Sequence, residues 1–208
     1  MNYLLHGIQS GLKMKQVRFL SNYSIPDSFQ NTHCFCEPLK PDHIHLDYEA
    51  VMSSRQFLRL WSKSDWPSDN FQLEDNLNDL VMHEKEHIEG VAYTYTILSV
   101  DKNECLGCLY VNPTDRIEPV TDHERNLLNQ RPATIRFWIR NSYQNTDKES
   151  IIVKDLISWF KLTWGLKEIL FSCNKQVPGQ IKLFRSSGLF LWLELQNPSR
   201  HELLWSIY

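Results

Sequence analysis

The stretch 133–164, ATIRFWIRNSYQNTDKESIIVKDLISWFKLTW, changes its period halfway, and that change decides how the chain is read. Ile135, Phe137 and Ile139 alternate with Thr134, Arg136, Trp138 and Arg140, the period-two signature of a strand. After the polar loop YQNTD, Ile152, Leu156, Trp159, Phe160 and Thr163 recur at helical spacing, so one stripe can pack on the sheet that owns the strand. Thr146 and Glu149 stand at capping-box spacing, which starts the helix at the end of the loop. A strand, a loop and a helix N-terminus together aim free N–H groups and the positive end of a helix dipole at one spot, where many folds hold an anion. A plain strand-to-helix packing unit is the other reading of the same residues.

The totals bound what surrounds this unit. A chain of 208 residues, 42% of them hydrophobic, is long enough for one full core and too short for two complete domains to be expected. Its net charge of −3 gives no global basic field, so nucleic acid is not expected as a partner. No apolar run reaches about 18 residues, and residues 1–20 interrupt short apolar pieces with Lys13, Lys15 and Arg18. Neither a membrane span nor a signal peptide is read, and a cytoplasmic location is expected. The five cysteines, Cys34, Cys36, Cys105, Cys108 and Cys173, are odd in number and scattered, which fits reduced thiols better than a disulfide framework.

Working outward, residues 1–37 are expected to form an N-terminal arm, rich in turn formers and ending in a short strand around 35–39. Residues 38–208 are expected to form one domain. Two short helices are read at HIHLDYEAVMSS and RQFLRLW, and a longer amphipathic one at FQLEDNLNDLVMHEKEHIEG, with Leu73, Leu77, Leu80, Val81 and Ile88 on its inner side. VAYTYTILSV and CLGCLYV form a β-hairpin about the turn DKNE. Residues 112–132 are a long connection with a helix in DHERNLLNQ. After the central unit come a strand in LKEILFSCN, a helix in KQVPGQIKLFRSSG stopped by Gly188, and a closing antiparallel pair, FLWLEL with HELLWSIY.

In that order of elements, and in the pieces LDYEAVMSSR, WPSDNFQLEDNLNDL, HEKEH, AYTYTIL and ECLGCLYVNPTD, the chain resembles the GNAT acyltransferase superfamily, within a group of bacterial GNAT-like proteins. The resemblance spans roughly residues 38–195. It implies an α/β fold with a central mixed, mostly antiparallel sheet flanked by helices. It also implies an N-acetyltransferase moving an acetyl group from acetyl-CoA, its co-substrate, to a small-molecule or peptide amine by direct attack, with a homodimer left open. The strand residues Phe137, Trp138, Ile139 and Arg140 would meet the pantetheine arm, splaying from the next parallel strand, which ends near Asn174. Gln144, Asn145, Thr146 and Lys148 would hold the pyrophosphate. Tyr93, Tyr95, His83 and His87 would lie on the acceptor side.

Two features depart from the family pattern. The superfamily's phosphate loop uses glycines, whereas the matching positions here hold Asp147 and Glu149; a carboxylate about 4 Å from a phosphate is repelled by about 1 kcal/mol in water and more where solvent is excluded. The late-helix position where many relatives carry a tyrosine acid holds Phe184, so the proton for the departing thiolate would come from Tyr143, Ser186 or a neighbour. A GNAT fold with a degenerate CoA site, acting as a binding module, is therefore an alternative to the enzyme.

Two further motifs suggest metal. His83-Glu84-Lys85-Glu86-His87 fits H-E-x-x-H, the pattern of a zinc hydrolase, but the third ligand of the extended motif would fall on Tyr93. Cys105-Leu106-Gly107-Cys108 is a single CxxC; in a regular strand its two thiols point to opposite faces, and joint ligation would require a bend at Gly107. Small hydrophobes in a strand is the reading adopted for these cysteines, and no metal is expected.

Overall fold

The computed structural model describes residues 18–166, 168–197 and 201–207. Residues 1–17 of the expected arm, with Lys13 and Lys15, lie outside the described residues. The elements follow the expected order, with the short strand β1 as the one addition among strands and α-helices of the described residues. Strands β1 (Phe29–Gln30) and β2 (Phe35–Pro38) come first, then helices α1 (Ile44–Ser53), α2 (Arg55–Ser62) and α3 (Leu73–Glu89). The hairpin is β3 (Tyr93–Leu98) with β4 (Cys105–Pro113), and α4 (Asp122–Leu128) sits in the long connection. The central unit is β5 (Ala133–Ile139) and α5 (Asp147–Thr163), followed by β6 (Leu170–Asn174), α6 (Pro178–Ser186), β7 (Phe190–Glu194) and β8 (Glu202–Ser206).

The eight strands form one sheet in the order β1-β2-β3-β4-β5-β6-β8-β7. Among the described residues only β5 and β6 pair in parallel; every other neighbouring pair is antiparallel. The sheet is thus the expected mixed, mostly antiparallel one. β1 and β2 belong to it, so pairing starts inside the stretch assigned to the arm.

Period-two alternation assigns each strand residue to one of two layers. Tyr93, Tyr95, Leu109, Val111, Ile135, Phe137 and Ile139 turn to the layer of α5 and α6, where Ile152, Leu156, Trp159, Phe160, Trp164 and Phe184 are buried. Leu98, Cys105, Cys108 and Trp138 turn to the other layer, under α1, α2 and α3, with Val51, Leu58, Trp61 and Leu80. The α5 stripe read from the sequence is the one that packs.

The α3 stripe is not. Leu73, Leu77, Val81 and Ile88 are 38%, 38%, 49% and 66% exposed, and of the five residues assigned inward only Leu80 is buried. The helix is turned so that Asn76, Leu80, His83 and His87, at spacings of four, three and four, face the sheet. The reason lies in the surface beneath: Thr94 and Asp47 offer polar groups to His83, His87 and Asn76, and the Tyr110 ring meets that of His83, so the polar face of α3 is the complementary one.

β4 carries a bulge. Gly107 pairs with Ile97 while Cys105, two residues earlier, pairs with the next residue, Leu98. Leu106 is the extra residue, and the shift puts Cys105 and Cys108 on the same face. Gly107 has φ +151° and sits so close to β5 that an added Cβ would lie 1.9 Å from the Trp138 carbonyl oxygen. Gly107→Ala is therefore expected to cost about 3 kcal/mol in urea unfolding, whereas Gly188→Ala, with φ +84° and no atom within 4 Å of the added carbon, should cost about 1 kcal/mol. Equal losses for the two variants would contradict this account of the bulge.

Candidate active site

β5 is paired with β4 along its whole length, but with β6 only at Thr134 with Leu170 and Ile135 with Phe171. Beyond those pairs the two parallel strands part. The Arg140 N–H donates to the Leu106 carbonyl at 2.8 Å, so by alternation Trp138 and Arg140 spend their backbone groups on β4. The backbone groups of Phe137 and Ile139 face the gap. Their carbonyls need partners there, and two side chains supply them: Gln180 Nε2 donates to the Phe137 carbonyl at 3.0 Å, and Gln144 Nε2 to that of Ile139 at 2.8 Å. A cavity of about 240 Å³ opens at the gap, lined by Phe137, Ile139, Gln144, Asn145, Gly179 and Gln180 among others.

The start of α5 closes one end of this slot. Thr146 Oγ1 accepts the Glu149 N–H at 3.3 Å, one half of the expected capping box. The other half is displaced by one residue: the Glu149 carboxylate passes Thr146 and accepts the N–H of Asn145 at 2.7 Å. A second cavity of about 200 Å³ lies here, lined by Asn145, Thr146, Asp147, Glu149, Lys182 and Ser186 among others. Burial pushes the Glu149 carboxyl above its ordinary value, with the Asn145 N–H acting in the opposite sense. The Ser186 hydroxyl donates to the Leu183 carbonyl at 3.0 Å. Lys182 is a cation that the sequence reading missed; it comes from α6, and no spacing along the chain links it to the loop.

The side chains of the other expected residues have partners of their own. The Arg140 guanidinium is buried on the α1 side, bound to Glu104 at 2.9 Å and Glu49 at 3.0 Å. The Tyr143 hydroxyl donates to Glu104 at 2.6 Å, and Lys148 Nζ donates to that hydroxyl at 3.1 Å, so this pair is drawn to the β3–β4 turn rather than to the slot. Trp138 turns its ring to the same layer as Arg140, its indole N–H donating to the Tyr110 hydroxyl at 3.1 Å. Asn174, at the end of β6, donates to the Leu60 carbonyl at 2.5 Å and fixes α2 across the mouth of the gap. Phe184 packs in the core between Phe137, Phe171 and Trp205.

On the opposite face of β5 is a pocket of about 300 Å³ whose walls include Trp61, Trp66, Asp79, His83, Tyr110 and Arg136. Arg136 lies 4.4 Å over the Trp61 ring and donates to that residue's carbonyl at 2.8 Å, which fixes one wall. The Trp66 indole N–H donates to Asp79 at 3.0 Å. Burial pushes the Asp79 carboxyl up and holds the His83 imidazole below its ordinary value. His83 Nδ1 pairs with Thr94 Oγ1 at 3.2 Å, and its ring lies 5.4 Å from that of Tyr110. Burial also keeps the Tyr110 hydroxyl protonated, well above the usual phenol range.

Of the expected acceptor-side residues, His83 reaches this pocket. His87 bonds the Thr94 carbonyl at 3.2 Å and rests edge-on against Tyr93 and Tyr95. Tyr93 and Tyr95 belong to the other layer, their hydroxyls donating to the Phe19 and Pro26 carbonyls at 2.7 Å and 2.6 Å. The two histidines of HEKEH therefore spend Nδ1 on different atoms of Thr94 and do not converge on one point. Trp61, Trp66, Asp79, Tyr110 and Arg136 were not read as site residues; they come from five separate segments, and only tertiary structure assembles them.

No protein-family profile matches the sequence, and no curated protein matches it. Solved structures do. RimL, a ribosomal L7/L12 alpha-N-protein acetyltransferase in complex with coenzyme A, superposes with a TM-score of 0.61 at 20% identity over 88% of this chain and 95% of its own. The microcin C7 self-immunity acetyltransferase MccE, in complex with acetyl-CoA and AMP, gives 0.63 at 14% identity over 88% and 96%. Mycobacterium smegmatis RimJ, with CoA-disulfide, gives 0.61 at 14% identity over 84% and 81%. With its parted parallel strands and these neighbours, the chain has the fold of the GNAT acetyltransferases.

Proposed function

We propose that the chain is an acetyl-CoA-dependent N-acetyltransferase. The observation that carries this reading is the parting of β5 from β6 after Ile135 and Phe171, which leaves the backbone of Phe137 and Ile139 facing a slot open to an extended ligand. That RimL, RimJ and MccE were solved with coenzyme A or acetyl-CoA supports the same use of the slot here. The pantetheine arm would displace Gln180 and Gln144 from the two carbonyls, and the pyrophosphate would meet Asn145, Thr146 and Lys182 at the start of α5. The five free, buried thiols suit the reducing, cytoplasmic setting that belongs to this proposal.

The acceptor would enter from the other face of β5. Aromatic walls from Trp61, Trp66 and Tyr110, with the Asp79 carboxylate among them, suit a primary amine that arrives as a cation, as on a small molecule or a peptide N-terminus. His83, neutral at neutral pH because burial disfavours its charged form, accepts the ammonium proton. The freed amine attacks the thioester carbonyl, whose oxyanion is met by a backbone N–H of β5, and collapse expels the CoA thiolate. Tyr110, kept protonated by burial, is the candidate donor to that thiolate.

A second reading has its own observation. Glu149 occupies the Asn145 N–H, and Gln144 and Gln180 occupy the carbonyls, so the chain's own side chains fill the positions that a CoA molecule would use. A GNAT fold that serves as a binding module without acetyl transfer would be built this way.

Calorimetry with acetyl-CoA separates the two. Saturable binding is expected, and Asp147→Asn with Glu149→Gln should tighten it about tenfold by removing two carboxylates from the phosphate end. No heat and no thermal shift at millimolar acetyl-CoA, in wild type and double variant alike, would leave only the binding module. Turnover of short peptides with free N-termini should give kcat/KM that falls as pH drops through the His83 pKa, below the ordinary 6.5, with His83→Gln removing that acid limb. Asp79→Asn should raise the peptide KM about tenfold and leave acetyl-CoA binding unchanged.

A further inference from the structure

We propose that Asp47, Cys105, Cys108 and Asn76 form a buried site for a zinc-class divalent metal that pins α1 and α3 to the bulge of β4. Among the described residues, Asp47, Cys105 and Cys108 are the one group of three such side chains whose ligand atoms all lie within 4.8 Å of one another. They are 3%, 1% and 1% exposed, beneath α1 on the face of the sheet opposite α5.

As the residues stand, both thiols donate to one oxygen of Asp47, and the spacing of the three ligand atoms suits a coordination shell. Asp47 Oδ1 is 3.3 Å from Cys108 Sγ and 4.0 Å from Cys105 Sγ. A tetrahedral zinc with Zn–S of about 2.3 Å and Zn–O of about 2.1 Å sets its sulfur-to-oxygen edges near about 3.6 Å, midway between those two values. The second carboxylate oxygen, Oδ2, is held from outside by Asn76 Nδ2 at 2.9 Å, the outer hydrogen bond that orients a ligating carboxylate. Asn76 is itself 1% exposed, and its carboxamide oxygen is buried with no hydrogen-bond partner. That oxygen lacks a partner, and a metal held by the other three residues would supply one.

The bulge is what makes the pair of cysteines a chelate. In a regular strand two thiols three residues apart face opposite ways, and here the extra residue Leu106 and the backbone of Gly107 bring them to one side. The remaining contacts of Cys105, to the Gly107 carbonyl at 3.5 Å and Thr96 Oγ1 at 3.6 Å, are weak ones. On binding, each thiol would lose its proton to solvent and form one metal–sulfur bond, so two protons would leave as one divalent ion enters. His83 and His87 bond Thr94 and not this set, and the proposal does not depend on the proposed acetyl transfer.

The test uses the full chain, reduced and stripped of metal, titrated with Co²⁺ and followed by absorption. A thiolate-to-cobalt charge-transfer band saturating at about one Co²⁺ per chain, bleached by Zn²⁺, is expected, as is about one zinc per chain in protein purified without chelator. His83→Gln with His87→Gln should keep the band; Cys108→Ser should abolish it, and Asp47→Asn should weaken binding at least about tenfold. If the Asp47 or Cys108 variant does not fold, the wild-type titration decides alone, together with a rise in melting temperature on adding Zn²⁺. Absence of the band in wild type would overturn the proposal. So would its loss in the histidine double variant, or a mass two hydrogens short that shows a Cys105–Cys108 disulfide.

Discussion

A strand buried on both faces must find partners for every backbone polar group, and β5 can do so through neighbouring strands along one edge only. Its β4 edge is closed. Its β6 edge is closed for two residue pairs and then open, so the carbonyls of Phe137 and Ile139 must be met by something other than a strand. Much else follows from that constraint: α6 begins at Pro178 in time to bring Gln180 over Phe137, the loop before α5 brings Gln144 over Ile139, and α2 is fixed across the mouth by Asn174. The slot is a consequence of how the sheet ends its only parallel pairing.

Much of this architecture was legible in the chain. The change of period between 139 and 152, the hairpin about DKNE and the closing pair β7 and β8 are all local patterns, and local patterns survive folding. The rotation of α3 was not legible. Leu73, Leu77, Val81 and Ile88 form a good apolar stripe, but what a helix buries depends on the surface offered to it, and Thr94 favours His83 and His87 while Asp47 favours Asn76. The same limit explains Tyr93 and Tyr95. Alternation shows that they share a face, yet only the assembled sheet shows that this face is the one under Trp159 and Trp164. The cysteines were read as small hydrophobes because joint ligation would need a bend at Gly107, and the sheet has a register shift there that the sequence did not show.

The loop at the head of α5 shows how a substitution can be compensated without restoring its chemistry. Glycines in that position leave N–H groups free for an anion; here Glu149 brings its own anion to Asn145. A carboxylate that caps a helix start is stabilised by the dipole and N–H groups, and its burial opposes its charge. Glu149, one of the two carboxylates that depart from the phosphate-loop pattern, thus contributes to holding the loop in shape.

Gln144 and Gln180 have one more consequence. A ligand that enters between β5 and β6 takes over two carbonyls already bonded to amides, so those bonds are exchanged one for one and add little net enthalpy. The gain would have to come from drying the walls of Phe57, Phe137, Ile139 and Val177. Such binding announces itself as a negative heat-capacity change, visible only when calorimetric titrations are repeated at several temperatures.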